Sequence, residues 1–418
     1  MKHPFPLTLT MLNKLISTYP TPFYLYEEKA MRENIKRLQK AFSWNPGFRE
    51  YFAIKTAPNP YLLDIFKSEN CGVDCSSETE LILAKSCGFT GKDIMFTSNV
   101  TTANEFRLAR QLDAIINLDD ASHIPYLKQQ AGFPNLVCMR LNPQTQITYQ
   151  NKTIMNHLDS KFGFMPEQLV DHILRLKKQG IKRFGIHCQF GCHQREADYF
   201  GENALNVFEQ IVMISKKTDV TFEFINLAGG IGIPYREEEE DTNIEAISNA
   251  MRYSYEATIS QNFSTPIPLF LELGIFMTGP YGYFVTRVLH LKKTAKTFLG
   301  LDASTNSFMT PSRYSNYHAI TVAGKENEPC DHTYDITGSL CENRDRFAID
   351  KKLPEIEIGD IIIFHDAGAY CFSHANHFNG KLSPGELLVC EDQSIRQIRR
   401  PETASDYFQT LDYPIIYR

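Results

Sequence analysis

The chain has 418 residues, of which 43% are hydrophobic and 22% charged, and its formal net charge is -6. These values are typical of a globular protein too long for one ordinary hydrophobic core, so we expect two domains and no extensive disorder. The acidic balance offers no basic surface to nucleic acid, and no apolar run approaches the roughly 18 residues of a membrane span. Ten cysteines without CxxC pairs, and no visible signal peptide, predict reduced thiols in the cytoplasm.

From residue 23 onward, short apolar runs alternate with amphipathic stretches. After a strand at 23–27 and a helix at 28–43, the predicted strands are 48–54, 71–74, 93–97, 113–118, 135–141, 183–190, 222–227 and 268–273. The predicted helices between them are 60–69, 77–87, 102–111, 120–131, 166–179, 196–216 and 243–261. Eight strands alternating with helices indicate an α/β protein with a parallel (β/α)8 TIM barrel. A doubly wound open sheet is the alternative.

The pattern changes after about residue 283, where β-rich runs follow one another with few good helices between them. These runs lie at 283–288, 297–301, 318–322 and 360–364, and they predict a separate β domain. The N-terminal strand precedes the barrel repeat and can join that domain. We therefore predict a barrel over 30–283 and a β domain built from 1–29 and 284–418.

Unusual residues fall at the ends of the predicted strands, where a barrel of this kind carries its chemistry. Lys55 ends the first barrel strand, just before a proline-broken loop, and is well placed for covalent chemistry with a carbonyl. The glycine run 228–232 can bring backbone amides close to a phosphate. Glu272 lies in a strongly apolar strand, so its carboxylate needs a cationic partner. Together, a lysine for a carbonyl, glycines for a phosphate and an acid for a pyridinium nitrogen specify pyridoxal 5'-phosphate.

Each of these features also has an ordinary structural interpretation. Lys55 taken alone would be a solvated surface charge, the glycine run a bare turn, and Glu272 half of a structural ion pair. A dinucleotide-binding loop fits the glycine run less well, because the run comes late and lacks the GxGxxG spacing. Zinc ligation by His187, Cys188, Cys192 and His193 is disfavoured, since alternate residues of a strand point to opposite faces, and we predict no metal.

The motifs resemble those of the fold-type III pyridoxal-phosphate decarboxylases, which include diaminopimelate and ornithine decarboxylases. The resemblance covers nearly the whole chain from about residue 20. YFAIKTAPNP is similar to the family's Y-A-x-K-A-N motif, GVDCSSETEL to D-x-x-S-x-x-E-L, and LAGGIGIPY to G-G-G-F-G-x-P-Y. GSLCEN is similar to G-x-x-C-E-S, and DAGAYCFSHANHFNG to D-A-G-A-Y followed by Y-N-G. The resemblance implies a barrel plus a β domain, in a homodimer whose active sites lie at the interface.

The resemblance also implies residue roles. Lys55 would hold the cofactor covalently, and Asp74 would support the lysine. Glu272 would keep the pyridine nitrogen protonated, while the phosphate would be bound by Gly229, Gly230 and the Tyr370 hydroxyl. From the other subunit, Cys341 would return a proton to Cα and Glu342 would hold a distal ammonium. Read without the resemblance, Cys341 is most simply an inert cysteine and Tyr370 an ordinary β-domain aromatic.

Departures from the family pattern bear on the substrate. The family's E-P-G-R is here Glu272-Leu273-Gly274-Ile275, and its M-R-P is Met309-Thr310-Pro311. Both arginines, which hold the distal carboxylate in diaminopimelate decarboxylases, are therefore replaced. Arg313 can compensate in part, and Tyr314 is retained. In the family's H-x-H-x-G-S, Gln189 replaces the histidine that stacks on the cofactor, and Cys192 replaces a serine that binds phosphate.

We therefore expect a pyridoxal-phosphate-dependent amino acid decarboxylase whose substrate carries a distal amine or another polar group, such as lysine, ornithine or a biosynthetic intermediate. Loss of the arginines disfavours a distal carboxylate, because an unpaired carboxylate is costly to desolvate. The alternatives are a true diaminopimelate decarboxylase and a non-catalytic regulatory relative on the same fold. A fold-type III racemase fits less well, because the Cys341-Glu342 and DAGAY motifs resemble the decarboxylase branch.

Overall fold

The structure is a computed structural model that describes residues 3–144, 146–149, 152–156, 159–189, 191, 193–311 and 317–415. Its Cα atoms cluster into two compact units. The barrel unit contains Arg32–Ile233 and Asp241–Met277, and the β-rich unit contains Met1–Met31, Pro234–Glu240 and Thr278–Arg418. The domain boundaries expected from the sequence remain a prediction; they did not include segment 234–240 in the β-rich unit.

The described elements follow one another in this order. The first part has α1 (Leu9–Thr18), β1 (Phe23–Glu27), α2 (Glu28–Ala41), β2 (Arg49–Ala53), α3 (Pro60–Ser68), β3 (Gly72–Cys75), α4 (Glu78–Ser86), β4 (Ile94–Thr97), α5 (Ala103–Gln111), β5 (Ile115–Leu118), α6 (His123–Ala131), β6 (Leu136–Arg140), β7 (Gln146–Tyr149) and β8 (Lys152–Asn156). The middle part has α7 (Pro166–Lys178), β9 (Arg183–His187), α8 (Ala197–Thr218), β10 (Ile225–Asn226), α9 (Ile244–Ala257), α10 (Ile259–Asn262), β11 (Leu269–Leu271) and α11 (Ile275–Thr278). The last part has β12 (Gly282–Lys293), β13 (Thr297–Leu301), β14 (Ile320–Val322), β15 (His332–Thr337), β16 (Arg346–Leu353), β17 (Ile361–Phe364), β18 (Gly385–Val389), β19 (Ile395–Arg399) and α12 (Ala404–Phe408).

Eight strands close into a barrel in the order β10-β11-β2-β3-β4-β5-β6-β9, and neighbouring strands are parallel throughout. Each of these strands lies within or beside one of the eight runs expected from the sequence. The (β/α)8 prediction is confirmed, and the open-sheet alternative is ruled out by closure. The sequence pattern missed α1 and the antiparallel hairpin β7-β8.

The barrel interior is filled by large side chains that face glycines on neighbouring strands. Tyr51 and Phe224 belong to one buried cluster with Met95, Ile115 and Cys138. A Cβ at Gly72 would lie 2.5 Å from the Tyr51 ring, and a Cβ at Gly185 would overlap the Phe224 ring. Large side chains fill the space that the glycines leave free, so the interior of the closed barrel is packed as densely as an ordinary protein core. The lower barrel is therefore a packed core, which leaves the strand ends for chemistry.

The β-rich unit is built on a nine-stranded sheet whose main path runs β16-β15-β13-β12-β1-β18-β19, with β17 joining β12 and β14. The four β-rich runs expected from the sequence lie in or overlap β12, β13, β14 and β17. Strand β1 pairs antiparallel with β12 and parallel with β18, so the N-terminal strand is part of this sheet. Its core contains Phe23, Leu25, Val285, Ile363 and Leu387. The predicted second domain rich in β-structure is thus confirmed as a fold.

Candidate active site

Lys55 stands in a short 3-10 turn that directly follows β2. Its Nζ lies 2.9 Å from Oδ2 of Asp74 at the end of the neighbouring strand β3, because parallel strands end at the same edge of the barrel. The Lys55 side chain is 46% exposed, whereas Asp74 is 1% exposed. Asn59 caps α3 and Pro60 opens it, so the chain leaves the strand end by a defined turn. The Lys55 amine is therefore accessible to solvent, while the Asp74 carboxylate that binds it is buried.

The buried carboxyl of Asp74 has a shifted pKa. Burial and the nearby charge of Glu272 raise the pKa of Asp74 to about 7, against the opposing effect of Lys55. One oxygen, Oδ1, is buried without a hydrogen-bond partner among the described residues. Asp74 therefore favours a positive charge on Lys55 and carries an unsatisfied acceptor at the same edge.

Glu272 follows β11 and is 8% exposed. Its Oε1 accepts a hydrogen bond from Asn226 Nδ2 at 2.7 Å, and its Oε2 lies 3.3 Å from Nε2 of His187 at the end of β9. Burial alone would raise the pKa of Glu272, but His187, followed by Lys55 and Asn226, outweighs it and lowers the pKa. A fixed anion at this position is suited to stabilising a protonated ring nitrogen.

Two glycines follow β10 where no side chain fits. A Cβ at Gly229 would lie 2.5 Å from the carbonyl oxygen of Glu272. Gly230 has φ +116°, and a Cβ there would overlap the backbone of Gly191. The backbone thus comes close to two neighbouring strand ends, and a glycine turn of this kind is suited to binding an anion through its amides. Gly274 is constrained in the same way, since a Cβ there would overlap the Thr56 hydroxyl.

A buried cation that the sequence pattern did not reveal lies beside Gln189. Arg140, the last residue of β6, is 7% exposed; its Nη1 donates to Asp119 Oδ1 at 3.2 Å and its Nη2 to Gln189 Oε1 at 3.1 Å. Its guanidinium lies 4.3 Å from the centre of the Phe162 ring. Gln189 therefore has an oriented amide. An arginine ending an otherwise apolar strand was the signal that could have revealed this group.

The β-rich unit holds the remaining predicted site residues. Cys341 and Glu342 are exposed on the loop between β15 and β16. Tyr370 has φ 59°, and its ring stacks on His374 at 5.6 Å between centroids. Thr310 is 4% exposed, and its hydroxyl lies 2.9 Å from His318 Nε2 and 3.7 Å from Cys371 Sγ.

Three predicted residues, Cys192, Arg313 and Tyr314, lie outside the described residues. In the barrel unit, Ile275 begins α11 and is partly buried. The roles expected of all the site residues remain predictions; what the structure adds is their local geometry.

Residues 28–279 match the family described as "Pyridoxal-dependent decarboxylase, pyridoxal binding domain". The chain belongs to this family.

Similar proteins extend over nearly the whole chain. Protein TabA of Pseudomonas amygdali pv. tabaci is 35% identical over 96% of this chain and 93% of its own length. Diaminopimelate decarboxylase of Methanothermobacter thermautotrophicus is 31% identical over 96% of this chain and 94% of its own length. The crystal structure of diaminopimelate decarboxylase from M. jannaschii has a TM-score of 0.86 at 26% identity and covers 96% of this chain and 94% of that one. The family and its members make this protein a pyridoxal-phosphate-dependent amino acid decarboxylase.

The barrel unit of this decarboxylase fits its cofactor. Pyridoxal phosphate, when bound, supplies an electron-withdrawing ring that accepts the electrons released with CO2. The exposed amine of Lys55 suits covalent attachment, the Gly229-Gly230 turn suits the phosphate, and the ionised, buried Glu272 suits the ring nitrogen.

Two further observations concern the described part of the chain. No group of three or more His, Cys, Asp or Glu side chains there is arranged to hold a metal ion. None of its helices combines the length and apolarity needed to cross a membrane.

Proposed function

We propose that this decarboxylase acts on an amino acid whose side chain ends in an amine or a neutral polar group. Support comes from the Thr310 position, where the resemblance places an arginine in related enzymes. In this chain the Thr310 side chain is buried and bonded to His318 and Cys371. At the second position, Ile275 supplies only an apolar side chain. A distal carboxylate would lose both guanidinium partners, and its desolvation would no longer be offset.

The chain's own residues divide the work as follows. Lys55 would hold the cofactor through Nζ, and Asp74 favours the protonated amine when that amine is free. Glu272, oriented by His187 and Asn226, would keep the ring nitrogen of the cofactor protonated. Cys341 supplies the proton that replaces the carboxylate at Cα, and Glu342 accepts hydrogen bonds from a distal ammonium. General acid catalysis of this kind contributes roughly 10²–10⁴-fold.

A substrate panel tests the proposal. Protein purified with pyridoxal phosphate is incubated with lysine, ornithine, glutamine and meso-diaminopimelate, and CO2 release is measured as kcat/KM. We expect the highest value for a substrate without a distal carboxylate, and Glu342→Gln should reduce that value most for the diamino acids. Preference for meso-diaminopimelate would refute the proposal and establish the alternative, a diaminopimelate decarboxylase, which the names of several relatives favour.

We also propose that the protein is a homodimer that works in the cytoplasm. Cys341, Glu342 and Phe378 are exposed on the β-rich unit, and in a dimer these side chains of one copy could face the barrel of the other. The nine cysteines in the described ranges are all free thiols, as expected in a reducing compartment. Light scattering should give a mass twice that of the chain, and a monomer would refute the proposed homodimer.

When the proteins of intact cells are unfolded in an alkylating reagent, all ten cysteines of this chain should be modified. A disulfide would refute the proposed reducing compartment.

A further inference from the structure

The loop that carries Cys341 and Glu342 is held by its backbone. We call residues 338–343 the Cys341 loop. Three consecutive amides of this loop each donate to a side-chain oxygen at 2.8 Å: Ser339 to Ser304, Leu340 to Asp345 and Cys341 to Asn379. The acceptors come from three separate segments, so the loop is fixed from three directions without being part of a strand.

Asp345 has the largest share of these contacts. It is 3% exposed, and its Oδ2 accepts the Leu340 amide. Its Oδ1 accepts two hydrogen bonds from Thr305, one from the backbone amide at 2.8 Å and one from the hydroxyl at 2.9 Å. A Cβ at Gly338 would lie 2.6 Å from Oδ2, so the backbone also packs closely against this carboxylate. One buried side chain therefore ties the Cys341 loop to the segment that follows β13.

This arrangement matters because the side chains it positions are exposed. Cys341 and Glu342 lie at the surface of the loop, where little packing restricts them. A group that must reach a reacting atom loses about 10²-fold in rate when it is displaced by roughly 1 Å. Hydrogen bonds to a carboxylate are about twice as strong as neutral ones, so the carboxylate of Asp345 is the strongest of the three anchors.

We propose that Asp345 is a positioning residue for decarboxylation, which sets the place of the Cys341 thiol and the Glu342 carboxylate through the backbone of the Cys341 loop. The inference rests on the proposed roles of Cys341 and Glu342. It goes beyond them by assigning their geometry to Asp345, with Asn379 as a second anchor.

The test compares Asp345→Ala and Asn379→Gly with Asp360→Asn. Asn379 has φ 57°, so glycine preserves the backbone and removes only the acceptor. Asp360 is the control: it is a partly buried carboxylate of the same unit, but it binds Lys325 and the Glu357 amide, neither of which belongs to the Cys341 loop. Two quantities are measured on the holoenzyme: kcat for CO2 release, and the alkylation rate of Cys341 by peptide mass spectrometry.

We expect Asp345→Ala to lower kcat by roughly 10- to 100-fold and to change the Cys341 alkylation rate several-fold, with a smaller effect for Asn379→Gly. Asp360→Asn should lower the melting temperature but leave the alkylation rate unchanged. If neither Asp345→Ala nor Asn379→Gly changes the alkylation rate relative to this control, the inference is overturned. Should Asp345→Ala fail to fold, Asn379→Gly decides the matter by the same criterion.

A double-mutant cycle separates this inference from the proposed function. If Asp345 acts through Cys341, Asp345→Ala should reduce kcat far less in a Cys341→Ser background than in the native protein. Equal reductions in the two backgrounds would overturn the inference. If Cys341→Ser alone leaves kcat unchanged, the role proposed for Cys341 fails, whereas the alkylation rates still report whether Asp345 holds the loop.

Discussion

The two units hold their functional groups in different ways. In the barrel, Lys55, Asp74 and Glu272 stand at strand ends, and the two carboxylates are almost wholly buried. In the β-rich unit, Cys341 and Glu342 are exposed on a loop that side-chain anchors hold in place. The functional groups of the barrel thus depend on strand geometry, whereas those of the β-rich unit depend on a few hydrogen bonds to loop amides.

The departures from the family do not follow the division into units. Lys55, Glu272 and the Cys341-Glu342 pair match the family motifs, whereas Gln189 and Ile275 in the barrel unit and Thr310 in the β-rich unit do not. Changing a buried strand-end charge leaves its partners unsatisfied in the interior, which costs about 3–5 kcal/mol when a buried pair is broken. A side chain near the substrate can change at a smaller cost, so specificity can diverge while the chemistry persists.

The largest effect is expected at Lys55. Lys55→Ala removes the amine that would hold the cofactor, so CO2 release should fall by at least about 10³-fold, in line with the loss of a covalent catalyst. The visible absorption band of the purified protein should disappear as well. Lys85→Ala, at an exposed position of α4, is the control. An unchanged spectrum in Lys55→Ala would contradict the cofactor assignment.

Two buried glutamates make the second prediction. Glu272→Gln removes the anion expected at the ring nitrogen and should lower kcat by about 10²-fold. Glu50 is the matched control: it is 1% exposed, burial raises its pKa well above the usual range, and it accepts a hydrogen bond from Leu273. Because burial disfavours the charged form of Glu50, the neutral amide of Glu50→Gln should leave kcat within about twofold. Similar losses in both variants would mean that Glu272 has only a structural role.

A third prediction asks whether Gly230 is needed because the backbone packs closely there or only because its φ is positive. Gly230→Ala introduces a Cβ that overlaps Gly191, so affinity for pyridoxal phosphate should fall by roughly tenfold or more. Gly180 has φ +94° and open space around its Cβ position, so Gly180→Ala introduces similar strain without the overlap. Cofactor affinity is measured by fluorescence titration. Equal affinities in the two variants would show that Gly230 is only a turn residue.

The smallest effect concerns the pH stability of the β-rich unit. Burial lowers the pKa of His318 to about 4 and that of His365 to about 4. Between about pH 6.5 and pH 4 the unfolded chain therefore binds more protons than the folded one, so stability falls as the pH is lowered through this window. At pH 5 each buried histidine lowers the free energy of unfolding by roughly 2 kcal/mol relative to its value at neutral pH.

His318→Gln should therefore reduce the loss of melting temperature between pH 7 and pH 5. His332→Gln, at an exposed position of the same unit, is the control and should keep the native slope. If His318→Gln retains the full pH dependence of the native protein, burial of this imidazole does not determine acid stability.

The sequence by itself determined the barrel and its chemical groups. Alternation of apolar runs and amphipathic stretches located all eight barrel strands, because strand and helix periods are local properties of the chain. Lys55, Asp74 and Glu272 were identifiable since each is a charged residue at the end of an apolar run, and strand ends of a barrel meet at one edge.

Tertiary structure alone decided which groups pair. The contact of Arg140 with Gln189 and Asp119 joins residues 49 and 21 positions apart, and that of Asp345 with Thr305 spans 40 positions. Neither follows from a local pattern, because hydrogen-bond partners depend on strand register and loop path. For the same reason the sequence, which placed Thr310 near the substrate, did not reveal the hydrogen-bond partner of its hydroxyl. Only the fold shows its hydroxyl turned inward to His318.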